Sequence, residues 1–126
     1  MKTLLVLMAH GSPDPRWRQP FEDMDRHLAE ILGRDRVTLA YMEFVSPTLL
    51  ERAEEARARG IERLVIYPLF MSGGGHVSRD IPGQVLAVSS RYSDLKIEVL
   101  PPLGEDPVIL DLVLSKARTA LEDPLD

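Results

Sequence analysis

Four apolar runs punctuate the chain: LLVLMA (4–9), VTLAYM (37–42), LVIYPLF (64–70) and LKIEVL (95–100). The first and third are nearly unbroken, the pattern of strands buried on both faces of a parallel sheet. The fourth alternates and reads as an edge strand. Between the runs the apolar spacing lengthens to that of helices. Trp17, Phe21, Met24, Leu28 and Ile31 recur every three or four positions, and Gly33 follows as a stop. In SPTLLERAEEARARG, Ser46 is the expected N-cap, Pro47 the first helical residue and Gly60 the stop. Asp80 is the expected cap of a third helix through IPGQVLAVSSRY. Asp106 and Pro107 open a fourth, with Ile109, Leu110, Val113, Leu114 and Ala117 as its apolar stripe.

The order is therefore strand–helix repeated four times. Such alternation predicts an α/β domain, a single open parallel four-stranded sheet flanked by helices and joined by right-handed crossovers. One domain is expected over residues 1–122, with 123–126 as a frayed tail.

Composition narrows the chemistry. The net charge of −5 is spread along the chain with acids and bases interleaved, which argues against nucleic acid as a partner. The absence of cysteine excludes disulfides, thiolate metal sites and thiol nucleophiles. The apolar stretch in MKTLLVLMAHGSP is too short to span a membrane and carries no small-residue cleavage signal, so the cytoplasm is the expected location, with no membrane partner.

Ligands of open parallel sheets bind beyond the carboxyl ends of the strands. Strand one delivers His10, Gly11 and Ser12 to that rim, strand two Glu43 to Ser46, strand three Met71 to His76 and strand four PPLG. Two of the three histidines converge there with an acid, while His27 falls on the flank of a helix. Neutral imidazoles bind Co²⁺, Ni²⁺, Fe²⁺ or Zn²⁺, and Glu43 could add an oxygen. Each histidine could equally hydrogen-bond its own loop. Gly73, Gly74 and Gly75 precede His76, and three glycines together are costly unless something must approach the backbone closely. They complete neither a P-loop nor a dinucleotide fingerprint. No nucleophile elbow surrounds Ser12, Ser72 or Ser78. A histidine-dependent phosphatase would carry arginine before His10, where Ala9 stands.

Taken together, AHGSPDP, YMEFVSPT, YPLFMSGGGHVSRDIP and PPLGEDP, in this order, resemble the small CbiX-type class II chelatases over nearly the whole chain. The most specific stretch holds Phe70, Gly74, His76, Asp80, Ile81 and Pro82. Pro13 departs from the arginine that many members carry there. The resemblance implies a chelatase-like half-unit, three-layered as in flavodoxin-like folds. It also implies insertion of a divalent metal, cobalt foremost and nickel or iron as alternatives, into sirohydrochlorin or a related tetrapyrrole, as in cobalamin biosynthesis. The metal is then substrate, with no permanently bound cofactor. His10 and His76 would hold it, and His10 would also accept pyrrole protons, a task suited to imidazole. Glu43 would serve as a second base or relay. Ser12, Ser46, Met71, Ser72 and Gly73 to Gly75 would line the macrocycle, and Arg79 is a candidate for its carboxylates. Short members resemble half of longer ones, which implies a homodimer, with Phe44 and Val45 near the seam. Three readings remain as alternatives: a non-catalytic tetrapyrrole or metal carrier, the phosphatase, and a flavodoxin-like binding module.

Overall fold

A computed structural model describes residues 2–72 and 76–122, apart from the side chains of residues 76–79. The expected tail at 123–126 and the run Gly73 to Gly75 lie outside the described residues. The elements are β1 (Thr3–Ala9), α1 (Pro15–Leu32), β2 (Val37–Tyr41), α2 (Leu49–Ala58), β3 (Arg63–Pro68), α3 (His76–Arg91), β4 (Lys96–Val99) and α4 (Pro107–Leu121). A 3₁₀ turn at Leu103–Glu105 precedes α4. The four strands form one parallel sheet in the order β2-β1-β3-β4, so β4 is an edge strand as its alternation predicts. None of the described helices is long and apolar enough to cross a membrane.

One face of the sheet is closed. Leu4, Val6 and Met8 of β1 and Leu64 and Ile66 of β3 are buried against Leu49, Ala53 and Ala56 of α2 and Ile81 and Val88 of α3. On the other face, Phe21, Leu28 and Ala29 of α1 pack over Leu7, Leu39 and Tyr41. The register sets Leu5 opposite Val65 and Leu7 opposite Tyr67, so these four share the α1 side. Among the described residues no helix packs over Val65 and Tyr67 there, and β3 alternates between fully and partly buried residues. The expectation that β3 is buried on both faces is thereby corrected. An apolar run records how the strand is composed, not which layer covers it.

The helix ends follow local chemistry. Asp14 caps α1, its Oδ1 accepting from the Arg16 N–H at 2.9 Å, and Gly33 ends it at φ +104°. Asp106 caps α4 in the same way, accepting from the Val108 N–H at 2.9 Å with Pro107 at the first position, as the sequence predicts. Two expected caps are corrected. Thr48, not Ser46, caps α2, because its hydroxyl stands three residues before Glu51 and accepts that residue's N–H at 3.2 Å. Helix α3 already begins at His76, so Asp80 and Pro82 lie within it. The stripes of α1 and α4 also need correction: Trp17, Met24 and Ile31 are exposed, and α4 buries none of its residues.

Candidate active site

The first two strand ends are tied together beyond the sheet. The Met42 N–H donates to the Ala9 carbonyl at 2.9 Å, and the Glu43 N–H donates to the His10 carbonyl at 3.1 Å. This close approach needs glycine next door. A Cβ on Gly11, which sits at φ +92°, would meet the Glu43 carbonyl oxygen at 2.1 Å. The chain then turns sharply, the Val45 N–H donating to the Glu43 carbonyl at 2.9 Å. Phe44, at the apex, adopts φ +72° with its side chain 72% exposed. A bulky residue held in that region costs about 1–3 kcal/mol, the kind of strain found at ligand clamps.

His10 leaves β1 with its ring against buried Phe70, the centroids 4.1 Å apart and the planes tilted by 41°. The contact backs one face of the imidazole and leaves the residue exposed on the rim. A hollow of about 510 Å³ opens in front of it. His10, Gly11, Ser12 and Glu43 form one wall, and Trp17, Arg18, Phe21, Tyr41 and Phe44 form the rest. Its volume falls in the range of small-molecule sites, and its walls are mostly aromatic with a few polar groups. A hollow of about 540 Å³ lies at the opposite end, beside Lys2, Arg36 and Arg59. It is remote from the carboxyl ends of the strands, where ligands of such sheets bind.

A polar brace holds the wall in place. Arg18 Nη1 donates to the Ser12 carbonyl at 2.8 Å and the Pro13 carbonyl at 3.2 Å. Its Nε lies 3.4 Å from Glu22 Oε2, which accepts the Tyr41 hydroxyl at 2.8 Å. Burial pushes the Tyr41 phenol well above its ordinary pKa, and the hydrogen bond to Glu22 adds to the effect. The brace joins the loop after β1, the first turns of α1 and the end of β2.

The sequence-predicted residues divide into three groups. His10, Ser12 and Glu43 come together in the hollow. Met71 and Ser72 are exposed beyond β3, with the backbone of Met71 packed against Gly104. Ser46 is exposed outside the wall, and its hydroxyl donates to Glu51 Oε1 at 2.9 Å. His76 is the first residue of α3, but its side chain and that of Arg79 lie outside the described residues, as do Gly73 to Gly75. The pairing of His10 with His76 therefore falls outside them too. Among the described residues, no three histidine, aspartate or glutamate side chains form a metal-binding group. Trp17, Arg18 and Tyr41 belong to the site although sequence reading did not place them there. Trp17 fitted a core stripe, yet it is 72% exposed in the first turn of the helix that leaves the rim. Its position so soon after the His10 loop was the available signal.

Comparison with known proteins bears on the family and the fold. The family model for CbiX matches residues 4–120. A sirohydrochlorin cobaltochelatase of Methanopyrus kandleri is 28% identical over 93% of this chain and 96% of its own length. The crystal structure of a putative cobalamin (vitamin B12) biosynthesis CbiX protein from Marinobacter aquaeolei VT8 superposes with a TM-score of 0.83 at 27% identity, over 97% of both chains. The sirohydrochlorin chelatase SirB from Bacillus subtilis subspecies spizizenii, solved in complex with cobalt, shares the fold with a TM-score of 0.81 at 21% identity. That match covers 94% of this chain but only 50% of SirB.

Proposed function

The chain belongs to the CbiX family of class II chelatases, and we propose that it inserts a divalent metal, cobalt foremost, into sirohydrochlorin. The observation that carries the reading is His10, backed by Phe70 and set beside Glu43 at the edge of an aromatic-walled hollow. Insertion requires the metal to shed water while two pyrrole protons leave the ring. His10 holds the incoming ion loosely and accepts a pyrrole proton, and Glu43 passes protons outward. A ligand-poor site suits transfer, because a closed coordination shell would retain the ion. His76, first in α3 and on the same rim, is the second metal-holding residue.

Exposed Trp17 and Phe44 offer flat apolar surfaces to the macrocycle, and Ser12, Met71, Ser72 and the glycines at 73–75 line its edge. The hollow is open on one side, and this chain spans half the length of SirB. Both facts support a homodimer in which a second copy faces the first across the substrate.

The test follows the sirohydrochlorin spectrum with Co²⁺ in the wild type and in His10→Ala. Loss of the base and metal-holding group lowers the insertion rate by at least about 100-fold. An unchanged rate in His10→Ala would remove His10 from the mechanism. Stoichiometric binding without turnover in the wild type would replace the enzyme with a carrier.

A further inference from the structure

Among the described residues, the wall of the hollow in front of His10 holds one arginine and no lysine, and that arginine is only partly spent on its own chain. A guanidinium has five N–H groups to donate and nothing with which to accept. Arg18 gives Nη1 to neutral acceptors, the Ser12 carbonyl at 2.8 Å and the Pro13 carbonyl at 3.2 Å. Its Nε faces Glu22 Oε2 at 3.4 Å, a long contact for a charged pair. Nη2 donates to none of the described residues. The side chain is only 22% exposed, so this charge sits in the wall and not out in water.

The other described arginines of α1 are used differently. Arg16 is exposed and closes a pair with Asp14, Nη2 to Oδ2 at 2.8 Å and Nε to Oδ1 at 3.2 Å. Arg26 is exposed and pairs with Asp23. Both belong to surface ion pairs, which solvent screens, and neither lines the hollow. Arg18 keeps donors in reserve beside it.

The chemistry of the wall defines its ligand. The Nη2–Nε edge of a guanidinium receives a carboxylate through two parallel bonds. Nη2 is open here. The Nε contact is long enough to yield, because Glu22 keeps the Tyr41 hydroxyl at 2.8 Å when it lets go of Arg18. Trp17, adjacent in the chain, puts a flat apolar surface on the same wall. A flat apolar ring with carboxylates on its edge satisfies both residues at once. The net charge of −5 gives such a ligand no general attraction to the chain, so its anionic edge depends on a local cation.

We propose that Arg18 binds a carboxylate on the rim of the tetrapyrrole, exchanging Glu22 for the substrate at Nε while Nη1 keeps the loop after His10 in place. Resting on the tetrapyrrole reading of the hollow, this role makes Arg18 a residue that favours a carboxylate-bearing ring over a bare one. One side chain then has two tasks: Nη1 fixes Ser12 and Pro13, and the Nη2–Nε edge orients the ring against Trp17.

Trp17 is the single tryptophan of the chain, so quenching of its fluorescence by metal-free sirohydrochlorin reads binding at this wall without metal or turnover. Kd is measured on the full chain for the wild type, Arg18→Gln, Glu22→Gln, the double variant and Arg26→Gln, each checked for folding by circular dichroism. Arg18→Gln raises Kd at least about tenfold and flattens its dependence on salt. Glu22→Gln lowers Kd about threefold, because the competing carboxylate is gone, and does so only while Arg18 is present. Arg26→Gln removes the same charge outside the hollow and leaves Kd within about twofold of the wild type. A brace that never touches substrate predicts the opposite sign for Glu22→Gln, since losing either partner loosens the wall. Arg18 is removed from substrate binding if Arg18→Gln binds as the wild type does, if Arg26→Gln weakens binding equally, or if Glu22→Gln fails to tighten it or tightens it equally without Arg18. Should Arg18→Gln not fold, the sign of the Glu22→Gln effect decides. Each of those results leaves the tetrapyrrole reading standing. Sirohydrochlorin that leaves wild-type Trp17 fluorescence unchanged overturns that reading, and the role of Arg18 with it.

Discussion

The two faces of the sheet are built from similar strands and finished differently. On the α2–α3 side, residues from β1 and β3 are fully covered and the core is continuous. On the α1 side, one helix covers β1 and β2 and stops, leaving Leu5, Val65 and Tyr67 only partly buried. The closed face holds the fold together. The open face carries the hollow under α1's first turn, a function that needs access. Adjacent residues of one strand should therefore respond differently to the same truncation.

Leu64 and Val65 provide the largest contrast. Leu64 is completely buried on the closed face, so Leu64→Ala leaves a cavity and costs about 3 kcal/mol in denaturant unfolding. Val65→Ala, on the open face, costs under about 1 kcal/mol when the chain is monomeric. Equal costs for the two variants in the monomer would mean that the open face is not open.

A smaller effect is expected where the open face meets the rim. Gly11→Ala places a methyl group in the path of the Glu43 carbonyl and requires an L-residue at φ +92°. Relief means separating the two loops and breaking the bond from the Glu43 N–H to the His10 carbonyl. We expect a loss of about 2 kcal/mol in stability and a larger proportional loss of insertion, measured on protein shown to be folded. A variant with normal turnover would show that the spacing of His10 and Glu43 does not matter to the chemistry.

The strands were legible because each is an apolar run bounded by polar turns, and topology alone then brought His10 to the same rim as Glu43. Asp106 with Pro107 was legible as a helix start for the same local reason. What sequence could not supply was context. Ser46 and Thr48 both carry a capping hydroxyl, and only the spacing to Glu51 separates them. Asp80 stands before Ile-Pro as a cap would, yet the helix already begins at His76. The stripe of α4 was read correctly as apolar, but its periodicity is silent on whether the covering layer comes from the same chain. Trp17 illustrates the converse, an apolar residue in register with a core stripe that borders a ligand hollow instead.

The smallest effect tests the brace behind that hollow. Tyr41→Phe removes the hydroxyl that Glu22 accepts, and Arg18 remains to satisfy the carboxylate, so the cost near neutral pH is about 1 kcal/mol. The pH dependence is more informative than the size. In the folded chain the phenol is held above its ordinary value of 10.0, first by burial and then by the carboxylate beside it. A group whose folded pKa is raised stabilises fully below its unfolded pKa and loses that contribution as pH rises toward the folded value. The wild type should therefore lose stability above about pH 10, where the unfolded tyrosine ionises freely and the folded one resists. Phenylalanine has no proton to hold, so the variant escapes this loss and the gap between the two proteins narrows. Denaturant unfolding of both from about pH 8 to about pH 11 measures that gap, and other titrating groups cancel in the difference. A gap that stays constant would mean that Tyr41 is neither buried nor bonded as described, and that the wall of the hollow is held by something else.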